Sequence, residues 1–302
     1  MLPRFELIEP DTLAEAVAAL AGPGEPPALL AGGTNLLVDM RNRFAGPARL
    51  VRLDRVAELK GIEIGEARVR IGSLTTISDL LRREEMETVA PSLVHAARVF
   101  AGHMVRNTAT VGGNVCYGSP AADMVPPLLS LDASIGLASA RGERSLPLGD
   151  FLLDYKRTAR RPDEVLSAIE WPRPPTGSAN LFRKLGLRKG DAITIVGVAV
   201  TIGAEDGRCS LARIALGAVA PTVLRAEEAE RVLVGEALSP AKVAQAARRA
   251  AAACRPIDDL RASASYRRHT VEVLVRRLVT RAWEQAATGG PASQRRPAAG
   301  GG

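Results

Sequence analysis

The sequence predicts a mixed helix-and-strand chain of two or three lobes organised around a pair of glycine loops. Three observations lead there. The chain has 302 residues, enough for several lobes with a sizeable core. Two glycine pairs, in Ala31-Gly-Gly-Thr-Asn35 and Thr110-Val-Gly-Gly-Asn114, lie far apart along it. A Pro/Gly/Ser-rich segment, Pro172 to Ala179, then separates that region from a run of strand-like segments and three helices.

Taken in order, Pro10 to Ala21 carries an Asp/Thr start, apolar positions at Leu13, Val17 and Leu20, and Gly22 as a stop, which predicts an amphipathic helix. After the Pro/Gly-rich link comes a strand at Ala28 to Leu30, the first glycine loop, and a short helix from Leu36 to Arg41. Short strands follow at Leu50 to Leu53, Ile62 to Ile64 and Val69 to Ile71. Helices are predicted from Ile77, ending among the charges Arg82 to Glu87, and from Pro91 to Arg98. The central stretch Phe100 to Asp123 reads FAGHMVRNTATVGGNVCYGSPAAD, and beyond it lie an apolar segment at Met124 to Leu131 and strands at Ile135 to Ala138 and Val165 to Trp171. Past the linker, Leu181 to Leu187, Ile193 to Ile202 and Arg213 to Val219 predict an antiparallel sheet, with helices at Ala226 to Val234, Pro240 to Ala253 and Tyr266 to Ala287. The Gly/Ala/Pro/Arg-rich tail from Thr288 to Gly302 predicts disorder.

Composition narrows the function. Hydrophobic residues make up 46% and charged residues 24%, the balance of a globular chain. The net charge of +7 comes from arginines spread along the sequence, but aromatics are only 3% and do not cluster beside the basic groups as a base-stacking platform requires, so nucleic acid is not expected as a partner. The excess charge reads as solvated surface or a docking face for a more acidic partner. Met1-Leu-Pro-Arg-Phe5 lacks the pattern of a signal peptide, and the apolar run near Ala192 to Val200 is short of a membrane span, so the expectation is a cytoplasmic chain. Cys116, Cys209 and Cys254 are odd in number, widely spaced and without a Cys-x-x-Cys pair, which argues against disulfides, zinc and a chain-borne iron–sulfur cluster.

The glycine loops carry the chemistry. A paired glycine suits a tight bend whose backbone N–H groups face outward as a concave nest, a way to grip a pyrophosphate. Neither loop has the Gly-x-Gly-x-x-Gly spacing of a dinucleotide-binding βαβ unit, and no Gly-Lys-Ser/Thr of a P-loop occurs. What remains is a bipartite site, two loops from different lobes with an extended dinucleotide threaded between them.

At these residues the chain resembles the FAD-binding medium subunit of the molybdenum hydroxylases, the xanthine dehydrogenase, aldehyde oxidoreductase and aerobic carbon monoxide dehydrogenase family. The match runs through AGGTNLL at 31–37, FAGHMVRNTATVGGN at 100–114, SPAAD at 119–123, EVLSAIEWP at 164–172, FRKLGLRKGDAITIVGVAV at 182–200, GAVAPTVLRAEEAE at 217–230 and PIDDLRASASYRR at 256–268. Seven motifs in one order make the match specific.

The resemblance implies an α+β fold: a two-lobed FAD-binding domain like that of vanillyl-alcohol oxidase (lobes 1–55 and 56–175), then a smaller sheet-plus-helices domain at 176–287. It implies that Leu29, Leu30, Ala31, Gly32, Gly33, Thr34, Asn35 and Leu36 form the first pyrophosphate loop, and Thr110, Val111, Gly112, Gly113 and Asn114 the second. Phe100 is implied near the adenine, Asp123 at the ribityl or pyrophosphate region, Leu166 against the flavin ring and Lys184 at its polar edge. Taken alone, Phe100 and Leu166 also suit core packing, Lys184 a solvated strand end, and Asp123 a helix cap. FAD is expected to be noncovalent: His103 is seven residues before Thr110 and nothing points to a flavin bond. The cysteine-rich insertion of the 4-hydroxybenzoyl-CoA reductase branch is missing from the sequence.

The implied role is electron transfer. The subunit takes electrons from [2Fe–2S] clusters on a small subunit and passes them to NAD, oxygen or a quinone-type acceptor, while hydroxylation occurs at a molybdenum cofactor in a large subunit. A dimer of heterotrimers is the implied assembly. Two other readings stay open at this point: a stand-alone flavin oxidoreductase with its own substrate, and a cofactor-free assembly factor of the same fold.

Overall fold

A computed structural model describes residues 2–22, 24–188 and 190–288; the tail expected to be disordered lies, from residue 289 on, outside the described residues. Thr12 starts the first helix, Leu13–Leu20, through a reciprocal cap: its hydroxyl accepts from the Glu15 amide at 3.2 Å, and Glu15 accepts from the Thr12 amide at 3.3 Å. The helix buries Ala16, Val17 and Leu20 against Val51 and Leu53. Beneath it lies a parallel three-stranded sheet in the order Glu6–Ile8, Arg49–Arg52, Ala28–Leu30. The Ala28–Leu30 strand therefore delivers residues 31–35 at its carboxyl end, the usual position for a ligand loop in an open parallel sheet.

The second sheet is antiparallel, in the order Ile62–Ile64, Arg68–Gly72, Val165–Pro172, Ser134–Ser139, Gly142–Pro147. The helices Ile77–Arg82, Pro91–Arg98 and Val125–Ser130 pack into one core with it, around Ile71, Leu93, Leu128 and Trp171. Two elements here differ from expectation. Gly142–Pro147 is an edge strand, and Leu152–Asp154 pairs with Arg157–Thr158 as a small hairpin. Both are largely exposed, the first mostly polar and the second too short to alternate, so neither shows the apolar alternation by which a half-buried strand is read. The Val165–Pro172 strand also bulges between Leu166 and Ala168, an irregularity that recurs beside functional sites because it re-aims a side chain.

The third sheet, Ala179–Leu185, Val196–Glu205, Arg208–Gly217 and Leu224–Arg225, is antiparallel throughout and covered by the helices Glu227–Leu233, Pro240–Ala253 and Ala264–Ala287. The strand Arg208–Gly217 begins earlier than the expected Arg213, and Val196–Glu205 is displaced toward the turn from the expected Ile193 to Ile202. They meet in a two-residue turn at Asp206-Gly207, both at positive φ, the hairpin geometry that an Asp-Gly pair favours. This domain does not hang free. Phe182, Ala199, Ala215 and Val223 enter the core of the second sheet. The buried Asn180 joins the two: its side-chain oxygen accepts from the Ser92 amide at 3.1 Å, and its NH2 donates to Thr201 Oγ1 at 2.7 Å.

Candidate cofactor site

A cavity of about 420 Å³ lies between the two glycine loops. Its wall contains Leu29, Ala31, Gly32, Gly33, Thr34, Asn35 and Leu36 from the first loop, Thr110, Gly112, Gly113 and Asn114 from the second, and Phe100 and Leu166. Most of the residues implied for the site thus come together. Leu30, Val111, Asp123 and Lys184 are not in that wall; Val111 is fully buried in the core.

The first loop fits an anion. Among the described residues none accepts a hydrogen bond from the amides of Gly32, Gly33, Thr34 or Asn35. Gly33 has φ +68°, the left-handed region that glycine enters without strain, and this turns the chain so that the loop can present those donors. Gly32 has a second constraint: a Cβ there would overlap the Thr108 carbonyl oxygen, so only glycine lets this loop lie against the segment that leads into the other.

The second loop corrects the expectation of an outward-facing amide nest. Thr110 caps a short helix, Val111–Cys116, and the amides of residues 111–114 are all occupied. Val111 N donates to the Thr75 carbonyl at 2.9 Å, Gly112 N to the Ser73 carbonyl at 2.9 Å, Gly113 N to Thr110 Oγ1 at 3.0 Å and Asn114 N to the Thr110 carbonyl at 3.0 Å. Gly112 is required by a backbone crossing, because a Cβ would stand 2.6 Å from the Ser73 carbonyl oxygen. This loop shapes the wall; its amides from Val111 to Asn114 are spent inside the protein.

Asp123 and Lys184 face each other. Lys184 Nζ donates to Asp123 Oδ2 at 2.6 Å and to the Val99 carbonyl at 3.4 Å, and Thr194 Oγ1 donates to Asp123 Oδ1 at 2.5 Å. The two charged side chains are 7% and 8% exposed, so Lys184 is not a solvated strand end and Asp123 caps no helix. Burial pushes the Asp123 carboxyl up from its ordinary range, and the Lys184 charge opposes that shift. The pair binds the C-terminal sheet to the segment that precedes Phe100. Arg106 completes the bend there, donating to the Phe100 and Ala101 carbonyls at 2.9 Å each.

Several wall residues went unnoticed in the sequence. Tyr117 donates its hydroxyl to Asp39 Oδ2 at 3.1 Å, and Lys156 stands 4.4 Å above its ring and 3.6 Å from the same carboxylate. The helix after the first loop is thereby tied to the helix after the second. Cys116 lines the cavity with its thiol pushed up to about 11 by burial, hence a protonated, uncharged group at neutral pH. Ser73, in the same wall, holds a buried hydroxyl without a partner among the described residues. Arg160 is there too. His103 is exposed and outside the wall.

Residues 3–174 match the family described as the FAD binding domain in molybdopterin dehydrogenase, and residues 181–282 the CO dehydrogenase flavoprotein C-terminal domain. The chain belongs to the FAD-binding medium subunits of the molybdenum hydroxylases. It is 36% identical to the carbon monoxide dehydrogenase medium chain of Hydrogenophaga pseudoflava over 94% of this chain and 99% of the relative. It is 33% identical to the xanthine dehydrogenase FAD-binding subunit of Escherichia coli O157:H7, over 92% and 95%. Among solved structures, carbon monoxide dehydrogenase from H. pseudoflava lacking the Mo-pyranopterin moiety superposes with a TM-score of 0.91 at 36% identity, over 94% of this chain and 99% of that one. Quinoline 2-oxidoreductase from Pseudomonas putida 86 superposes at 0.88 with 29% identity, over 95% and 99%. As a medium subunit the chain has the α+β architecture of an FAD-binding domain plus a C-terminal domain. No helix among the described residues is long and apolar enough to cross a membrane, and no cluster of His, Cys, Asp and Glu among them could hold a metal ion.

Proposed function

We propose that this medium subunit holds FAD noncovalently in the cavity between its two glycine loops and relays electrons within a heteromeric molybdenum hydroxylase. The observation that carries the reading is the row of unoccupied amides at Gly32, Gly33, Thr34 and Asn35 in the wall of that cavity. Unpaired backbone donors gathered in a concave wall suit a pyrophosphate. Bound FAD supplies a redox centre able to exchange electrons singly or in pairs.

The chain's own residues bind and orient. The first loop, Leu29 to Leu36, receives the diphosphate; Thr110 to Asn114 shape the opposing wall; Phe100 and Leu166 give apolar contact that excludes water. Asp123 and Lys184 act through the backbone they hold, since Lys184 reaches the carbonyl just before Phe100. Electrons arrive from [2Fe–2S] clusters on a small subunit and leave to NAD, oxygen or a quinone-type acceptor. Substrate is oxidised at a molybdenum cofactor in a large subunit, and the assembly is a dimer of heterotrimers. The relatives' names support that division of labour: similar identities, 36%, 33% and 32%, join this chain to subunits named for carbon monoxide, xanthine and 6-hydroxypseudooxynicotine dehydrogenases.

Purification of the complex from its native host at mild salt, with absorbance, metal analysis and subunit masses, tests the reading. A yellow-brown complex of three kinds of subunit with FAD, iron and molybdenum is expected. FAD on this chain alone, without iron or molybdenum, would turn the assignment toward a stand-alone flavoenzyme.

A further inference from the structure

Arg160 occupies an unusual position. It is the only Lys, Arg, Asp or Glu in the cavity wall among the described residues. Its guanidinium is held from one side only: Nη1 donates to the carbonyls of Glu164 at 2.8 Å, Arg161 at 3.1 Å and Pro162 at 3.4 Å, while Nε and Nη2 have no acceptor among the described residues. The turn that carries it is itself braced. Arg144 grips the Glu164 carboxylate at 2.6 and 2.8 Å and donates to the Ala159 carbonyl at 2.7 Å, and Glu164 accepts from the Arg161 amide at 2.7 Å. The charge also reaches the cavity interior, since it opposes the upward shift of the Cys116 thiol.

A dinucleotide diphosphate carries two negative charges, and in the second glycine loop the amides of residues 111–114 are already occupied. We propose that Arg160, with its three-carbonyl brace, supplies the cationic half of the diphosphate site and shares the anion with the first-loop amides. This rests on the flavin reading above. A guanidinium with one edge tied to carbonyls is pre-oriented, and its remaining edge suits phosphate oxygens.

The test is flavin affinity of the full-length chain stripped of flavin, for wild type, Arg160→Gln and Arg160→Lys, with FAD and riboflavin titrated separately across a salt series. Riboflavin lacks the phosphates. FAD affinity of Arg160→Gln should fall about ten- to hundred-fold, the range for losing a hydrogen bond to a charged group, with a weaker salt dependence than wild type and unchanged riboflavin affinity. Arg160→Lys keeps the charge and should retain the wild-type salt dependence with an intermediate affinity. Equal losses for FAD and riboflavin, or Arg160→Lys as weak as Arg160→Gln with a lowered melting temperature, would make Arg160 a merely structural brace and overturn the proposal. A wild type that binds riboflavin and FAD alike also overturns it, while leaving a flavin site; a wild type that binds neither removes the flavin reading and this inference together.

Discussion

The two glycine loops look alike in sequence and differ in what their backbone does. In Ala31-Gly-Gly-Thr-Asn35 the amides of residues 32–35 are unoccupied and the loop leaves the end of a parallel strand. In Thr110-Val-Gly-Gly-Asn114 the amides of residues 111–114 are all occupied and the loop begins a helix. In the second loop, Gly112 is there because another backbone crosses at Ser73. A glycine pair is therefore evidence of close approach, and only the bonding of its amides tells whether the approach is by a ligand or by the protein itself.

The largest expected effect lies outside both loops and serves as their control. Asp123→Ala should leave Lys184 buried without its partner and destabilise the fold by about 3–5 kcal/mol, measured by denaturant unfolding of the apo chain. Adding Lys184→Met should recover part of that loss. If Asp123→Ala unfolds like wild type yet binds no FAD, the pair acts on the cofactor and not through the fold.

Within the comparison, Gly112→Val should cost about 3 kcal/mol of apo-state stability through overlap with Ser73, with flavin lost as a consequence. Gly33→Ala should cost about 1–2 kcal/mol for a side chain at positive φ. Its loss of FAD affinity should exceed what that destabilisation explains, because it disturbs a loop of open amides in the cavity wall. Equal flavin defects per unit of lost stability at the two positions would erase the distinction between the loops.

A smaller effect separates the wall from the brace behind it. The Glu164 carboxyl is pushed up by burial but held below the ordinary glutamate range overall, chiefly by its hydrogen bonds from Arg144 and the Arg161 amide. A lowered folded value means that the ionised carboxylate stabilises the fold above the unfolded pKa, and that this contribution is lost as pH falls through the folded one. Glu164→Gln should therefore cost about 2 kcal/mol at pH 7. The gap to wild type should narrow once the pH drops below about 4, in melting curves recorded across the acid range. Smallest is Thr110→Ala, which removes the cap on Gly113 N and should cost about 1 kcal/mol with FAD affinity nearly unchanged.

Much of the architecture was legible in local pattern. Pro91 and Pro240 open helices whose limits, Pro91–Arg98 and Pro240–Ala253, agree with those read from the sequence, because proline at the first helical turn and apolar periodicity act within a few residues. Ile62–Ile64 was equally plain. The hairpin around Tyr155 was hidden because its strands are only two and three residues long and largely exposed. Arg160 could not be told from its neighbours, since Lys156-Arg-Thr-Ala-Arg-Arg161 reads as a solvated charge run until the fold turns one member inward.

By itself the sequence determined most of the long helices and core strands, the two glycine loops and, through seven motifs, the family, since each depends on residues close together along the chain. Which amides stay open, that Asp123 meets Lys184 and not a helix end, and that Arg160 stands in the cavity wall were decided by tertiary structure. Those outcomes depend on segments from about 35 to 60 residues apart meeting at hydrogen-bonding distance, such as Ser73 with Gly112 and Asp123 with Lys184. Hydrogen bonds at such separations leave no local signature, because each partner alone is an ordinary turn, strand end or surface charge.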